Sequence, residues 1–320
     1  MLTFDTDLEN AISLRNKNWS DNKEIPSWIK INDVGLDQFF TKASLAEELY
    51  NDLLRFLSLR GVDLLDCVFI EPSAGSGSFF DLLPKGLSIG LDIMPLKDDI
   101  LQQDFLSWKP SDDIKDKTII FVGNPPFGYR GWLALSFMNH AAKYADYVGF
   151  ILPMSFQSEG KGSPKNRVKD LRLEHSKILP KDSFVSPSGK IEKVNALWQI
   201  WEKGINVNEI EVTCDDWLDI FTVDLRKERL CGVGKMQHAD FFLQRTYYNE
   251  APTLVKNFSQ VKYVCGYGLI FKKNKEEMTR ALQNIDWNNY SNLAAHNCRH
   301  ISMYHIKRAL TDNKFVDGNL

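Results

Sequence analysis

The tetrapeptide Asn124-Pro125-Pro126-Phe127 follows the apolar segment 118–123, whose pattern is typical of a buried strand. Two successive prolines lack N–H donors and fix φ, so they end the strand in a rigid turn. The side-chain oxygen of Asn124 and the carbonyl of Pro125 can both accept hydrogen bonds from one exocyclic amine, and Phe127 can stack on the ring that carries it. The tetrapeptide therefore predicts a site that binds and activates a planar amine, although an ordinary Asn-Pro turn after a strand uses the same residue types.

A glycine turn precedes this tetrapeptide in the chain. The buried segment 67–70 runs into a turn that contains Gly75 and Gly77, and we expect a helix to follow. Glycine has no Cβ and tolerates positive φ, so a ligand can lie directly against this backbone. The next predicted strand, 87–91, ends at Asp92, about 20 residues beyond the glycines, where an acid suits ribose hydroxyls. The order strand, glycine turn, helix, strand and acid predicts a cofactor site more strongly than the glycines alone.

Together these two motifs resemble those of the S-adenosylmethionine-dependent amino-methyltransferases, above all the DNA adenine N6-methyltransferases. Phe40-Thr41 is similar to the family's Phe-Thr element, which touches the methionine end of the cofactor. Asp104-Phe105 is similar to the pair that bonds the cofactor's adenine amine and covers its ring. The resemblance covers roughly residues 30–204, and the order of the motifs is that of the branch with a C-terminal target recognition region.

The resemblance implies a set of site residues. Asn124, Pro125, Pro126 and Phe127 would be catalytic. The cofactor would be S-adenosyl-L-methionine, and its binding residues would be Phe40, Thr41, Glu71, Pro72, Ala74, Gly75, Gly77, Asp92, Ile93, Asp104, Phe105 and Asn124. Phe127 stands where the family more often has Tyr, and Phe184 is the candidate for a second ring that stacks on the target base. The resemblance implies no metal site, and Cys298, which lies between His296 and His300, has no second ligand pair at zinc spacing.

The charge distribution indicates where a polyanion would bind. The net charge is −3, but segments 156–193 and 262–320 each carry +4, which leaves −11 on the rest of the chain. We therefore expect double-stranded DNA to contact these two basic segments, although lysine-rich loops are often only solvated surface. The candidate DNA-binding residues are Lys161, Lys165, Arg167, Lys169, Lys272 and Lys273.

The pattern of elements predicts an α/β fold with a doubly wound, mostly parallel, Rossmann-like methyltransferase sheet. Helical periodicity is present over 44–59 and 132–145, whereas residues 1–30 show no clear period. The polar loop 158–165 is expected to be mobile, with Arg167, Lys169 and Arg172 on a following helix. We expect residues 1–204 to form the catalytic domain and residues 205–320 to form a smaller α+β target recognition region.

Several classes of protein remain open after this reasoning. Cytosine N4 is also an exocyclic amine, although the family's cytosine enzymes more often have Ser in place of Asn124. Adenine in RNA, a glutamine side chain in a protein, and a non-catalytic nucleic-acid-binding partner subunit are further alternatives. No long apolar run or signal peptide pattern occurs, so we expect a cytoplasmic protein without a membrane partner. The resemblance leaves open whether a cognate restriction endonuclease accompanies the enzyme or whether it is an orphan or viral methylase.

Overall fold

A computed structural model describes residues 2–20, 22, 25, 27, 29–33, 39–158, 162–186, 188–206, 213–294 and 297–318. The chain divides into two compact units. The first consists of residues 1–156 and 164–207, and the second of residues 157–163 and 208–320. Lys161, one of the predicted DNA-binding residues, and His296 lie outside the described residues.

The described residues of the first unit form three α-helices and ten strands. Its helices are α1 (Leu2–Trp19), α2 (Ala43–Leu59) and α3 (Trp132–Ala141). Its strands are β1 (Phe40–Thr41), β2 (Cys67–Glu71), β3 (Ser88–Asp92), β4 (Leu101–Gln102), β5 (Thr118–Gly123), β6 (Tyr147–Pro153), β7 (Leu171–Ile178), β8 (Phe184–Val185), β9 (Ile191–Glu192) and β10 (Ala196–Lys203).

Seven of these strands form one sheet in the order β4-β3-β2-β5-β6-β10-β7. Strands β4, β3, β2, β5 and β6 pair in parallel, whereas β10 is antiparallel to both β6 and β7. The predicted doubly wound, mostly parallel Rossmann-like sheet is therefore confirmed. The strand order reverses between β2 and β5, and in open α/β sheets such a reversal leaves a crevice for ligands outside the carboxyl ends of the strands.

Helix α2 buries its apolar stripe in the core of this unit, as its helical periodicity predicts. The stripe consists of Leu45, Leu49, Leu53 and Leu57. The same core contains Trp198 of β10, whose ring stacks on Phe79 with centroids 6.3 Å apart. The Trp198 indole N–H donates to Asp52 Oδ2 at 3.0 Å, so the polar edge of this buried ring has a partner on α2.

Three local predictions are wrong. The glycine turn is followed only by a 3₁₀ turn, Phe80–Leu82, and not by a helix. The predicted helix with Arg167, Lys169 and Arg172 is a 3₁₀ turn that leads into β7, because segment 171–178 pairs with β10. Residues 2–19, in which no period was evident, form helix α1.

The second unit is a smaller α+β assembly with two three-stranded sheets, β11-β14-β12 and β13-β16-β15. Its elements are β11 (Leu218–Asp224), β12 (Phe241–Gln244), β13 (Thr246–Tyr247), β14 (Cys265–Phe271), α4 (Lys275–Gln283), β15 (Asn292–Leu293), β16 (Arg299–His300) and α5 (Met303–Asp312). Across the described residues of both units, no helix combines the length and apolarity that a bilayer span requires.

Substitution of Gly149 tests how tightly β6 packs against β10. A Cβ at Gly149 would lie 2.8 Å from Trp198 Cη2, on a ring that is fully buried and cannot easily shift. We expect Gly149→Ala to lower the free energy of unfolding by about 1–3 kcal/mol in urea denaturation followed by circular dichroism. Gly204→Ala is the control, because its Cβ would come no nearer than 3.6 Å to any atom. Equal stability of the two variants would contradict this packing.

Candidate functional site

A cavity opens at the carboxyl ends of β2, β3 and β5 in the first unit. Most of the residues predicted from the sequence to bind a cofactor line it, although they come from five separate segments of the chain. These lining residues are Phe40, Thr41, Glu71, Pro72, Ala74, Gly75, Asp92, Ile93, Asp104, Phe105 and Asn124. Parallel pairing explains the convergence, because it brings the carboxyl ends of adjacent strands to one edge of the sheet.

The first glycine of the turn holds the acid at the end of β3. Gly75 has a φ of +51°, and its N–H donates to Asp92 Oδ2 at 2.8 Å. The N–H of Met94 donates to Asp92 Oδ1 at 2.8 Å. Burial raises the pKa of Asp92 and the backbone hydrogen bonds lower it, with burial the larger effect. A Cβ at Gly75 would lie 3.1 Å from the Phe40 ring, so glycine suits this position for both its conformation and its size.

The second glycine of the turn is not in the cavity lining. Gly77 has a φ of +86°, and a Cβ there would meet Lys97 Nζ at 2.8 Å and Asp81 Oδ1 at 3.1 Å. Gly77 therefore shapes the turn and leaves room for the ion pair between Lys97 and Asp81. The structure gives it no direct place in the predicted cofactor site.

Two carboxyl groups in the cavity have an oxygen with no hydrogen-bond partner among the described residues: Glu71 Oε2 and Asp104 Oδ2. Each of these side chains is only 2% exposed. Burial raises the pKa of Asp104, although the Leu106 N–H and the nearby side chains of Asn18 and Trp19 lower it. Burial raises the pKa of Glu71 well above its ordinary value, and the carboxylate of Asp92 adds to this effect. A buried acceptor without a partner is costly, so Glu71 Oε2 above all indicates a ligand that donates hydrogen bonds.

Helix α1 supplies two lining residues that the sequence analysis missed, Arg15 and Trp19. The Trp19 ring meets Trp132 of α3 edge-on with centroids 5.7 Å apart, and the Arg15 guanidinium carbon lies 4.7 Å from the centroid of the Trp19 ring. Among residues 7–19 of α1, whose burial is described, the buried positions are Ala11, Arg15 and Trp19, which recur every four residues. This spacing could have predicted an amphipathic helix. A search for periodic apolar residues does not detect it, because the middle position of the stripe is an arginine.

A second, smaller cavity adjoins the turn after β5. It is lined by Phe39, Asn124, Pro125, Pro126, Phe127, Phe184 and Val194. The predicted catalytic tetrapeptide and both predicted stacking rings therefore meet at one cavity. Phe184 lies on β8 and lines this smaller cavity. It pairs with Thr41 of β1, which lines the larger cavity, so the pairing of β1 with β8 joins one residue of each cavity.

Asn124 is one of the residues that line both cavities. Its Nδ2 donates to the carbonyl of Phe39 at 3.0 Å, which fixes the orientation of the amide. Its Oδ1 is buried and has no hydrogen-bond partner among the described residues. The oxygen is thus an oriented acceptor at the junction of the two cavities.

The predicted DNA-binding residues of the first unit lie between β6 and β7. The 3₁₀ turn Lys165–Arg167 is attached to neighbouring segments through its backbone carbonyls. The Lys165 carbonyl accepts from Asn206 Nδ2 at 2.9 Å, and the Lys169 N–H donates to Asn139 Oδ1 at 3.0 Å. Arg167 and Lys169 are exposed and Lys165 is half-buried. The backbone of this segment is therefore held in place while two of its cationic side chains face solvent.

The two predicted DNA-binding residues of the second unit contact their own unit. Lys272 Nζ donates to the carbonyl of Asp215 at 2.7 Å and lies 2.8 Å from Asp219 Oδ1. The hydrogen bond with Asp219 raises the pKa of Lys272. Lys273 Nζ lies 5.4 Å from the centroid of the Trp217 ring. A phosphate at Lys272 would have to compete with these partners.

No group of three or more metal-ligating side chains occurs in the described part of the chain. Cys298 Sγ lies 3.5 Å from His300 Nε2, so these two residues contact each other. Burial lowers the pKa of His300 and raises that of the Cys298 thiol, as expected of neutral side chains in a protein core.

No protein-family model matches the chain, and no curated protein matches its sequence. The solved structures that are similar to it at low identity include the following three proteins. A protein described as an RNA methyltransferase from Pyrococcus horikoshii has 19% identity and a TM-score of 0.38 over 61% of this chain and 99% of its own. Magnesium protoporphyrin IX methyltransferase from Synechocystis PCC 6803 has 12% identity and a TM-score of 0.34 over 61% and 97% of the two chains.

The third similar structure is the M protein of the type I restriction enzyme EcoKI. It has 16% identity and a TM-score of 0.27 over 44% of this chain and 40% of its own. Matches at this level carry no argument about activity. The chain has a Rossmann-like methyltransferase fold, and that assignment depends on the order and direction of its seven strands.

Glu71 gives the site a pH signature. Because its pKa is raised well above 4.5 in the folded chain, the folded state keeps a proton that the unfolded state loses. The free energy of unfolding should therefore fall as pH rises above that ordinary value, by at most about 1.4 kcal/mol per pH unit, until the folded carboxyl ionises. Asp92 and Asp104, whose pKa values burial also raises, contribute in the same direction. We therefore expect Glu71→Gln to reduce this slope in thermal unfolding measured as a function of pH without added ligand.

Glu47→Gln, at an exposed position on α2, is the control for Glu71→Gln. It removes the same type of carboxyl without removing a buried one, so the pH slope of the wild type should persist. If the Glu71→Gln variant kept the wild-type slope, Glu71 would not be the buried neutral acid that its surroundings indicate.

Proposed function

We propose that this protein is an S-adenosylmethionine-dependent DNA adenine N6-methyltransferase that acts on an adenine flipped out of the duplex. The observation that carries the proposal is the Asn124 side chain. Its amide is oriented by the Phe39 carbonyl, and its Oδ1 is a buried acceptor without a partner at the junction of two cavities. An acceptor at this junction could bind an exocyclic amine whose ring lies in the smaller cavity and whose nitrogen faces a cofactor in the larger cavity.

The larger cavity fits the proposed cofactor chemically. Its acceptors without partners, Glu71 Oε2, Asp104 Oδ2 and Thr41 Oγ1, match a ligand with several N–H and O–H groups. Asp92 lies beyond the glycine turn, where an acid suits ribose hydroxyls. The carboxyl groups also suit a ligand that carries positive charge. Asp104 would accept from the adenine amine, with Phe105 beside the adenine ring.

The residues at the turn would then prepare the amine. Bound S-adenosylmethionine supplies an electrophilic methyl group. Asn124 Oδ1 and the Pro125 carbonyl would accept the two amine hydrogens, which raises electron density on nitrogen and aims its lone pair. Phe127 and Phe184 would stack on the flipped base. Positioning is the main contribution, and no strong general base is needed if the proton leaves after methyl transfer.

DNA is the proposed substrate because of the charge distribution and the smaller cavity. An amine inside a duplex cannot reach a buried cofactor, so the base must be extruded at a cost of about a few kcal/mol. Cationic side chains on both basic segments would hold the phosphates, among them the exposed Arg167 and Lys169. Residues 205–320 would form the target recognition region, and the enzyme would serve as a modification methylase with or without a cognate endonuclease.

The deciding experiment is transfer of labelled methyl groups to duplex DNA of mixed sequence, followed by digestion and identification of the labelled nucleoside. N6-methyldeoxyadenosine would support the proposal. Label on cytosine would mean that the target base is cytosine and not adenine. Label only in RNA or protein would mean that DNA is not the substrate. Cofactor binding without transfer to any of them would indicate a non-catalytic partner subunit.

Asn124→Ala separates catalysis from cofactor binding. The variant loses the acceptor for the amine, and removal of one preorganised polar group of this kind typically lowers kcat by about 100- to 1,000-fold. Cofactor affinity, measured by calorimetry, should stay nearly unchanged. Asn51→Ala, at an exposed position on α2, is the matched control and should change neither quantity. Equal loss of turnover and cofactor affinity in Asn124→Ala would mean that the site is misassigned.

Asp104→Asn tests the adenine end of the cofactor site. Asparagine keeps the oxygen that accepts from the Leu106 N–H at 3.1 Å but presents an NH2 group where the acceptor without a partner stood. Since hydrogen bonds to charged groups contribute about 1.5–3 kcal/mol, we expect cofactor affinity to fall about 10- to 100-fold in calorimetry. Asp116→Asn, at an exposed position before β5, is the control. Unchanged affinity would exclude Asp104 from the cofactor site.

A further inference from the structure

Two tyrosines of the second unit are exposed side by side. Tyr248 is 52% exposed and Tyr263 is 57% exposed, and their ring centroids lie 6.2 Å apart. Further large apolar side chains that neighbouring segments leave exposed are Leu225, Leu230 and Val264. A cluster of exposed rings and aliphatic groups on one part of a soluble unit is a mark of an interaction surface.

The backbone holds these side chains in place through an unusual conformation. Tyr263 and Val264 both lie in the left-handed region, with φ of 64° and 47°, directly before β14. A β-branched residue rarely adopts this conformation, and such strain is concentrated at functional sites. The Leu225 N–H donates to the Val264 carbonyl at 2.9 Å, and the Lys262 N–H donates to Gln244 Oε1 at 3.3 Å. The first bond joins the segment after β11 to the segment before β14, and the second joins the latter segment to β12.

Basic side chains occur on the hydrogen-bonded segments that carry the two rings, and we call the whole set the aromatic–basic surface. Its cations are Arg226, Lys227, Arg229, Arg245 and Lys262, and its rings are Tyr248 and Tyr263. Arg226 is held by Asp224, with Nε 2.9 Å from Oδ1. In the described part of the chain, Lys227 and Arg229 have no carboxylate within ion-pair distance. Glu228 and Glu250 are the acids of the same segments, so the cations outnumber the acids.

We propose that the aromatic–basic surface binds duplex DNA, with the tyrosine rings against bases or sugars and Lys227 and Arg229 on phosphates. Exposed cations can bind the phosphates of a duplex, and the tyrosine rings and hydroxyls can contact its sugars and base edges, since the faces of paired bases are stacked on one another. The surface differs from the pair Lys272 and Lys273, of which Lys272 is bound to acids of its own unit. The proposal rests on the proposed function and adds to it a defined contact surface.

The test measures affinity for a fluorescein-labelled duplex of mixed sequence by fluorescence anisotropy at several salt concentrations. Tyr248→Ala combined with Tyr263→Ala should weaken binding about 5- to 100-fold, whereas Phe at both positions should keep most of the affinity. Lys227→Gln combined with Arg229→Gln should lower the slope of log affinity against log salt by about 1–2. Lys85→Gln combined with Lys109→Gln is the matched control, because it removes two exposed charges from the first unit and should leave the slope unchanged.

Circular dichroism and cofactor affinity establish that each variant is folded, and Tyr248→Ala alone avoids the strained position 263. Wild-type affinity in the Tyr→Ala variants, with DNA methylation intact, would overturn this inference and leave the proposed function standing. A wild-type protein that binds DNA but does not methylate it, and loses binding in these variants, would support the surface and overturn the function. A wild-type protein that does not bind DNA would overturn both.

Discussion

The parallel pairing of β2 with β3 on one side and β5 on the other is the constraint on which the candidate site depends. Ile70 pairs with Ile89 and with Phe121, so Glu71, the neighbourhood of Asp92 and the turn at Asn124 all emerge at one edge of the sheet. Residues that are far apart in the chain thereby line one cavity. A shift of two residues in the pairing of β2 with β3 would separate the acid from the glycine turn that holds it, and the same shift in the pairing of β2 with β5 would displace the turn at Asn124.

The same edge concentrates polar atoms that the protein does not satisfy by itself. Glu71 Oε2, Asp104 Oδ2 and Asn124 Oδ1 are buried without partners among the described residues, while the apolar core beneath them is tightly packed. Buried acceptors of this kind lower stability, and a ligand that donates to them recovers the loss on binding. The site thus follows a general pattern in which local rules that hold elsewhere in a fold are broken where a ligand binds.

Much of the fold could be read from periodicity. The bounds of β5 agree with prediction, and helix α2 is within one residue, because each has a strong repeat or clear turn residues at its ends. The failures have physical reasons. Segment 171–178 forms β7 because its backbone can hydrogen-bond to β10, beside which it becomes the last strand of the sheet. Helix α1 was not predicted because Arg15 occupies a buried position in its stripe. In both cases the tertiary environment outweighs the local pattern.

The sequence by itself determined which chemical groups follow the strands at the site: an amide and two prolines after one strand, glycines after another and an acid after a third. Residue types and local turn geometry are properties of short segments, so they can be recognised in order along the chain. Only the tertiary structure decided that Gly77 stays outside the cavity, that Arg15 and Trp19 enter it, and that Asn124 points its oxygen to the junction of two cavities. Those outcomes depend on which surfaces pack together across long sequence separations, and no short segment contains that information.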